Sequence, residues 1–220
     1  MGGWGGMRDW AAFAIALVLS AAASATAGAE TINIVAFGDS GVFGSGQGRT
    51  PGGVSVAEAY PAKLERALRA RGWDVAISNQ GVRGATVRNA VYTVDRSIPP
   101  RTKLTIVQFG NNDRNLLFAS ADDIAHSLDE IIRRVRAKGS AAILVREWPP
   151  SDAAAFAAVE QSADSFVTWY SDVYDGGKLR QEYDSGDHAH LNAAGTDVIV
   201  ARAVPDVERL LMRLGSRPTR

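Results

Sequence analysis

The chain has 220 residues, 46% hydrophobic and 22% charged, with 24 Lys and Arg balanced by 24 Asp and Glu. A neutral chain of that make-up has no basic excess for a broad nucleic-acid surface, and no nucleic-acid partner is expected. It contains no Cys, which excludes disulfides, thiolate catalysis and Cys-ligated zinc, and only three His, at 126, 188 and 190.

Residues 1–29 are expected to be a signal peptide rather than part of the fold. Arg8 precedes an apolar run from Trp10 to Leu19, too short for a comfortable membrane span, and small residues follow. Two Ala-x-Ala patterns put cleavage after Ala27 or Ala29. The absence of Cys excludes lipoprotein attachment, so the expectation is an exported, periplasmic or secreted protein with no stable membrane anchor after cleavage. Residues 30–220 then form a single domain.

Strand and helix alternate through this part. Ile34–Phe37 reads as a buried strand, followed by Gly38, Asp39 and Ser40 and a glycine-rich loop from Gly41 to Gly53. Val56 to Arg71 reads as a helix stopped by Gly72. Val75–Ser78 is a second strand, Ala85–Val94 a helix and Leu104–Phe109 a third strand. Ser120 and Asp123 resemble a capping box opening a helix that runs to Gly139. Ala141–Val145 is a fourth strand, Trp148–Pro150 a turn, and Ala153–Tyr174 a helix. Trp169, Tyr170 and Tyr174 belong to core or pocket wall. Asn192–Leu214 closes the chain as a helix that Pro205 should break or kink. Such alternation implies an α/β fold: a parallel sheet covered by helices on both faces.

Ser40 follows a buried strand, where open α/β sheets place their ligands; taken alone it reads first as a helix cap or turn residue, and only the later stretches argue otherwise. The glycine-rich loop is not a phosphate loop, lacking Lys after its glycines, and its spacing misses the dinucleotide fingerprint. It also misses the G-x-S-x-G nucleophile elbow. Asp187 and His190 are three apart, which on a helical turn puts both on one face, the carboxylate holding one imidazole nitrogen and freeing the other. The alternatives are an Asp that merely caps, or a metal held by Asp187, His188 and His190, against which adjacent helical residues point apart. His126 lies mid-helix between charged positions and should face solvent. Two further polar stretches follow strands: Asn79 to Thr86, whose glycines let a backbone N–H approach a substrate, and Gly110-Asn-Asn-Asp113, whose amides can donate to an oxyanion. If the chain is extended there, Asn111 and Asn112 point in opposite directions.

Four blocks in order therefore span nearly all of residues 30–220: Gly38-Asp39-Ser40, Asn79-x-Gly81-x-x-Gly84-x-Thr86, Gly110-x-Asn112-Asp113 and Asp187-x-x-His190. Together they resemble the SGNH hydrolases, or GDSL-like esterases, with Gly41 in place of the usual Leu. The likeness is greatest to bacterial acyl-CoA thioesterase/lysophospholipase/arylesterase enzymes. That resemblance implies a flavodoxin-like three-layer α/β/α sandwich with a central parallel sheet and metal-free, cofactor-free hydrolysis of a small-molecule ester or thioester through an acyl-enzyme. It implies Ser40 as nucleophile, His190 as general base and Asp187 as its orienting carboxylate. The oxyanion hole would be the backbone N–H groups of Ser40 and Gly84 and the Asn112 side chain. Arg83 and Arg114 would put positive charge beside the pocket, for an anionic substrate or for Asp113. A carbohydrate O-acetyl esterase is the other enzymatic reading, and a secreted non-catalytic binding protein of the same fold the third.

Overall fold

The computed structural model describes residues 30–44, 50–146 and 153–219. The expected signal peptide and the Trp148–Pro150 turn lie outside them. Five strands form one parallel sheet: β1 (Ile32–Gly38), β2 (Val75–Gly81), β3 (Leu104–Gln108), β4 (Ala141–Val145) and β5 (Ser165–Val167), in the order β2-β1-β3-β4-β5. After β1 the chain moves to one side for β2, then crosses back for β3. The carboxyl ends of β1 and β3 thus flank the topological switch point, where α/β sheets open a crevice.

Strand alternation explains the three layers. Ile34 and Ala36 of β1, Leu104 and Ile106 of β3, and Ile143 and Val145 of β4 face one side. They pack there against α2 (Tyr60–Ala70) and the closing helix, which is α8 in chain order (Ala193–Arg213). Val35 and Phe37, Val107, and Ala142 and Leu144 face the other side, against α3 (Val87–Val91), α4 (Val94–Ser97), α6 (Ala121–Ala137) and α7 (Ala153–Ser162). Side chains leave a strand on alternate faces, so strands buried on both read as unbroken apolar runs.

Several elements differ from expectation. Residues 41–43 are not loop: Ser40–Phe43 forms a helical turn, α1, capped by Asp39, whose side chain accepts from the Gly41 N–H. The helix expected from Val56 begins at Tyr60, after a 3₁₀ turn at Val56–Glu58, with Pro61 in its first turn, where a missing N–H costs nothing. The Ala85–Val94 helix is two short ones, α3 and α4. The helix expected to reach Tyr174 stops at Ser162, because Ser165–Val167 pairs with β4 at the sheet edge and Trp169–Asp172 folds as a 3₁₀ turn. Pro205 does not break α8: Ile199, Ala203, Val207 and Leu211 are buried on both sides of it, and their packing holds the helix through the lost hydrogen bond. The Ser120 cap is present, its hydroxyl accepting the Asp123 N–H at 3.1 Å, and His126 is exposed.

Candidate active site

Ser40 is placed by close packing. A Cβ on Gly38 would lie 2.2 Å from Val42 Cγ2 and 2.5 Å from the Gln108 carbonyl; one on Gly81 would lie 2.2 Å from the Phe43 nitrogen. Only glycine lets β1, β2 and α1 approach this closely. Asn79 fastens the same junction: its amide donates to the carbonyls of Val42 (2.9 Å) and Phe43 (3.3 Å), and its Oδ1 accepts from the Gly81 N–H. Those carbonyls belong to the end of α1 and have no partner within so short a helix. Ser40 is therefore the first residue of a helical turn rigidly mounted on β1, with its side chain at the switch point.

The Asp187–His190 pair reaches Ser40 from the other end of the chain. It lies in a loop rather than on a helical turn, so the expected helical face is not what brings the two together. Asp187 Oδ1 accepts the backbone N–H groups of Ala189 (3.0 Å) and His190 (2.8 Å), curling the loop around the carboxylate; Oδ2 takes His190 Nδ1 at 2.7 Å. His190 Nε2 stands 2.8 Å from Ser40 Oγ. A carboxylate only accepts, so Nδ1 carries the proton and Nε2 is the acceptor for the serine hydroxyl. Burial pushes the Asp187 carboxyl up, but the hydrogen bonds it accepts from His190 and Ala189 outweigh this and hold it below the usual Asp range.

A second carboxylate supports this loop, one the sequence motifs did not single out. Asp184 accepts the N–H groups of Gly186 (2.8 Å) and His188 (3.0 Å) and pairs with His188 Nδ1 at 2.7 Å. Burial again raises its pKa and the hydrogen bonds again lower it further, leaving it below the ordinary value. His188 thus belongs to Asp184 and points into solvent, with φ 60. Ser185, buried, donates to Asp187 Oδ1 at 3.3 Å. Asn192 ties the loop to α8: it caps the helix at the Gly195 N–H and donates back to the Glu182 and Asp184 carbonyls.

Asn112 and Asn111 both line the cavity beside Ser40. They do not point oppositely, because residues 111–117 form a helix, α5 (Asn111–Leu117), in which neighbours are about 100° apart. Their partners differ. Asn111 Oδ1 accepts from Asn115, whereas Asn112 Nδ2 donates to the Ala85 carbonyl at 2.8 Å and stands 3.5 Å from Asp39 Oδ2. The long second contact leaves one amide proton of Asn112 able to turn to a developing oxyanion. Asp113 is buried and accepts the Val87 and Arg88 N–H groups, so it anchors the start of α3. Arg83 lies over the Phe43 ring at 4.9 Å. Gly84, with φ 71, sits in an exposed turn closed by the Ala85 N–H on the Val82 carbonyl, outside the cavity lining.

The cavity, about 310 Å³, opens above Ser40 and His190 between Val54, Tyr60, Leu116, Tyr170, Tyr174 and Leu191. Tyr170 is fixed by Gln108, a buried β3 side chain that donates to its hydroxyl at 2.8 Å. Trp169 is core, while Tyr170 and Tyr174 are pocket wall. Among the described residues no cluster of His, Cys, Asp or Glu could hold a metal ion.

Residues 36–198 match the model of the GDSL-like Lipase/Acylhydrolase family. No curated protein matches the sequence. Among solved structures, TesA is similar with a TM-score of 0.67 at 21% identity, over 81% of this chain and 99% of that one. AlinE4, described as an SGNH-hydrolase family esterase, is 28% identical with a TM-score of 0.59, over 83% of this chain and 97% of its own. A family 3 carbohydrate esterase from Clostridium thermocellum has a TM-score of 0.65 at 19% identity, over 85% of this chain and 100% of its own.

Proposed function

The chain belongs to the GDSL-like lipase/acylhydrolase family, the SGNH hydrolases, and from that premise we propose a serine-type carboxylic ester or thioester hydrolase acting on an apolar acyl group. The observation that carries the reading is the continuous line from Asp187 Oδ2 through the His190 imidazole to Ser40 Oγ, with spacings of 2.7 and 2.8 Å. Nucleophile, base and orienting carboxylate are each within hydrogen-bond reach of the next.

The steps follow from that line. Ser40 Oγ attacks the acyl carbonyl as its proton passes to His190 Nε2. The oxyanion takes hydrogen bonds from the Ser40 N–H group and from Asn112 Nδ2; Gly84, which the resemblance also offers as a donor, lies in an exposed turn outside the cavity lining. The tetrahedral intermediate collapses, the C–O or C–S bond breaks, and His190 protonates the leaving alcohol or thiol. Water then attacks the acyl-serine, gives its proton to His190, and frees the acid and Ser40. No cofactor enters. The aromatic and aliphatic walls of the cavity favour an acyl chain over an acetylated sugar, and support substrates of the thioester, aryl ester or lysophospholipid kind. Export as a periplasmic or secreted enzyme is part of the reading and rests on residues 1–29.

A fluorophosphonate probe tests it, run beside p-nitrophenyl esters of rising chain length, acyl-CoA and acetylated xylan. The chain should be labelled and should prefer acyl chains longer than acetyl. Ser40→Ala should lose label and turnover while keeping its melting temperature. A Ser40→Ala protein with a tenth of the original activity would remove Ser40 from the mechanism, and a preference for xylan would favour the carbohydrate reading.

A further inference from the structure

Apolar exposure on this molecule is unevenly placed. The large apolar side chains exposed among the described residues are Val56, Val82, Tyr92, Leu116, Leu117, Phe118 and Met212. Five of these seven belong to segments that meet the cavity or the Ser40 turn. Leu116 lines the cavity, and Leu117 and Phe118 continue from it. Val82 follows β2 and donates its N–H to the Gly38 carbonyl, two residues before Ser40. Val56 lies between Val54 and Ala59, which both line the cavity. Scattered exposed apolar residues are ordinary, whereas a cluster beside a functional opening marks a contact surface.

The Leu116–Phe118 tip is built to stay outside. Phe118 is 87% exposed and ends α5 in the left-handed conformation, φ 52, which glycine or asparagine ordinarily occupies. Phe there gains no packing, and its backbone is strained to hold it outward. In sequence the tip is flanked by Arg114 on one side and Asp122 and Asp123 on the other, and Arg83 beside Val82 is stacked over the Phe43 ring, so the charge near the rim is mixed in sign.

We propose that the Leu117–Phe118 tip, with Val82 and Val56 as the rest of the rim, is a docking surface for a lipid aggregate that presents the ester to Ser40. The inference rests on the function proposed above. The occupant follows from position: a folded partner seated on the rim of the cavity would cover its mouth, whereas a lipid surface would feed it. The mixed charge around the tip makes the contact apolar and directs it to zwitterionic lipid rather than to an anionic surface. This is peripheral contact; no helix among the described residues is long and apolar enough to cross a membrane.

The lack of Cys in the chain allows a local readout. Leu117→Cys carrying a polarity-sensitive dye, in a Ser40→Ala background, is titrated with phosphatidylcholine vesicles beside the same label at Met212→Cys. The dye at 117 should shift to the blue and keep its shift in high salt, while the dye at 212 should not respond. No shift at 117, or equal shifts at both positions, overturns the proposal, as does loss of the shift in salt. In parallel, Leu117→Asp/Phe118→Asp should hydrolyse monomeric p-nitrophenyl acetate within about twofold of the unsubstituted chain. On lysophosphatidylcholine micelles it should lose roughly tenfold or more, since each large apolar side chain withdrawn from a lipid surface is worth about that factor. Equal losses on both substrates would place the tip in the catalytic cavity and end the docking reading. Inactivity of the unsubstituted chain on p-nitrophenyl acetate would count against the proposed function, while the dye still decides the docking.

Discussion

The two halves of the candidate site are held in place by different physics. On the serine side, position comes from exclusion: Gly38 and Gly81 let backbone meet backbone, and almost any other side chain would push α1 off β1. On the histidine side, position comes from attraction: Asp184 and Asp187 each gather backbone N–H groups and one imidazole, in a loop that is mostly exposed. Steric fit does not titrate and tolerates no added methyl group. A carboxylate-centred loop tolerates changes of shape and depends on charge. The proposed nucleophile is thus built as part of the core, and the proposed base as an attachment to it.

The comparison breaks most sharply at the two histidines, which share a loop but not a role. His190→Ala should lower kcat on the order of 10³-fold or more, because His190 Nε2 is the base that stands 2.8 Å from Ser40 Oγ. His188→Ala should stay within roughly tenfold, its ring being paired with Asp184 and 92% exposed. Steady-state kinetics on one activated ester decides it, and a dead His188 variant beside an active His190 variant would move the base.

Next in size is the amide pair on α5, which stands between the two regimes. Asn112→Ala should cost on the order of 10²–10³ in kcat with little change in KM, as loss of one oxyanion donor does. Asn111→Ala, losing its bond with Asn115, should cost ~1 kcal/mol of stability at most. Both line the cavity, so a kcat defect in Asn111→Ala alone would mean that the other amide does the work.

The steric half is tested by one methyl group. Gly81→Ala would bring a Cβ to 2.2 Å from backbone that has no room to move, so the chain should lose about 1–3 kcal/mol or more, with activity falling as α1 shifts. Gly84→Ala meets nothing within 4 Å and pays only for its positive φ, about 1 kcal/mol. Thermal melts of the two variants should be clearly separated; equal losses would mean the junction is looser than its contacts.

The smallest effect concerns charge. Asp184 and Asp187 have lower pKa values folded than unfolded, so their support is complete above the unfolded Asp value of about 3.9 and is lost as pH falls through the folded value. The gap in melting temperature between the unsubstituted chain and Asp184→Asn should therefore be full at pH 6–7 and close as pH drops below about 4. The loss from Gly81→Ala should show no such trend. A gap for Asp184→Asn that does not narrow at all as pH falls below about 4 would show that its charge is not what holds the loop.

This division also explains what could be read from the chain. The strands were legible because burial on both faces leaves an unbroken apolar run, as in Leu104–Phe109. Ser40, Asp187 and His190 could be singled out because the proposed chemistry demands those residue types, and the fold brings the three into one hydrogen-bonded line. The three-residue strand Ser165–Val167 was not, since it is too short to carry a period and lies inside a stretch with helical spacing. Nor was the manner in which Asp187 meets His190: the same three-residue spacing fits a helical face and a loop curled around a carboxylate. The helices at 40–43 and 111–117 were missed because each is held by what it touches, Asn79 in one case and Asp113 through α3 in the other. Asp184 gives no signal, because its partners are backbone groups that every sequence possesses.

One consequence follows from the distance along the chain between the partners. Ser40 sits on the first strand, and His190 lies 150 residues later, just before the last helix. That helix is clamped to α2: Lys63 meets Asp197 at 2.5 Å, and Arg71, just past the end of α2, grips Glu208 with two bonds of 2.7 and 2.9 Å. A chain still emerging from the ribosome has the proposed nucleophile early and the proposed base only at the end. On the proposed mechanism, Ser40 stays an ordinary alcohol until the segment carrying His190 is made and seated. The connectivity would then keep the unfinished protein silent, and turnover would report that the domain has closed.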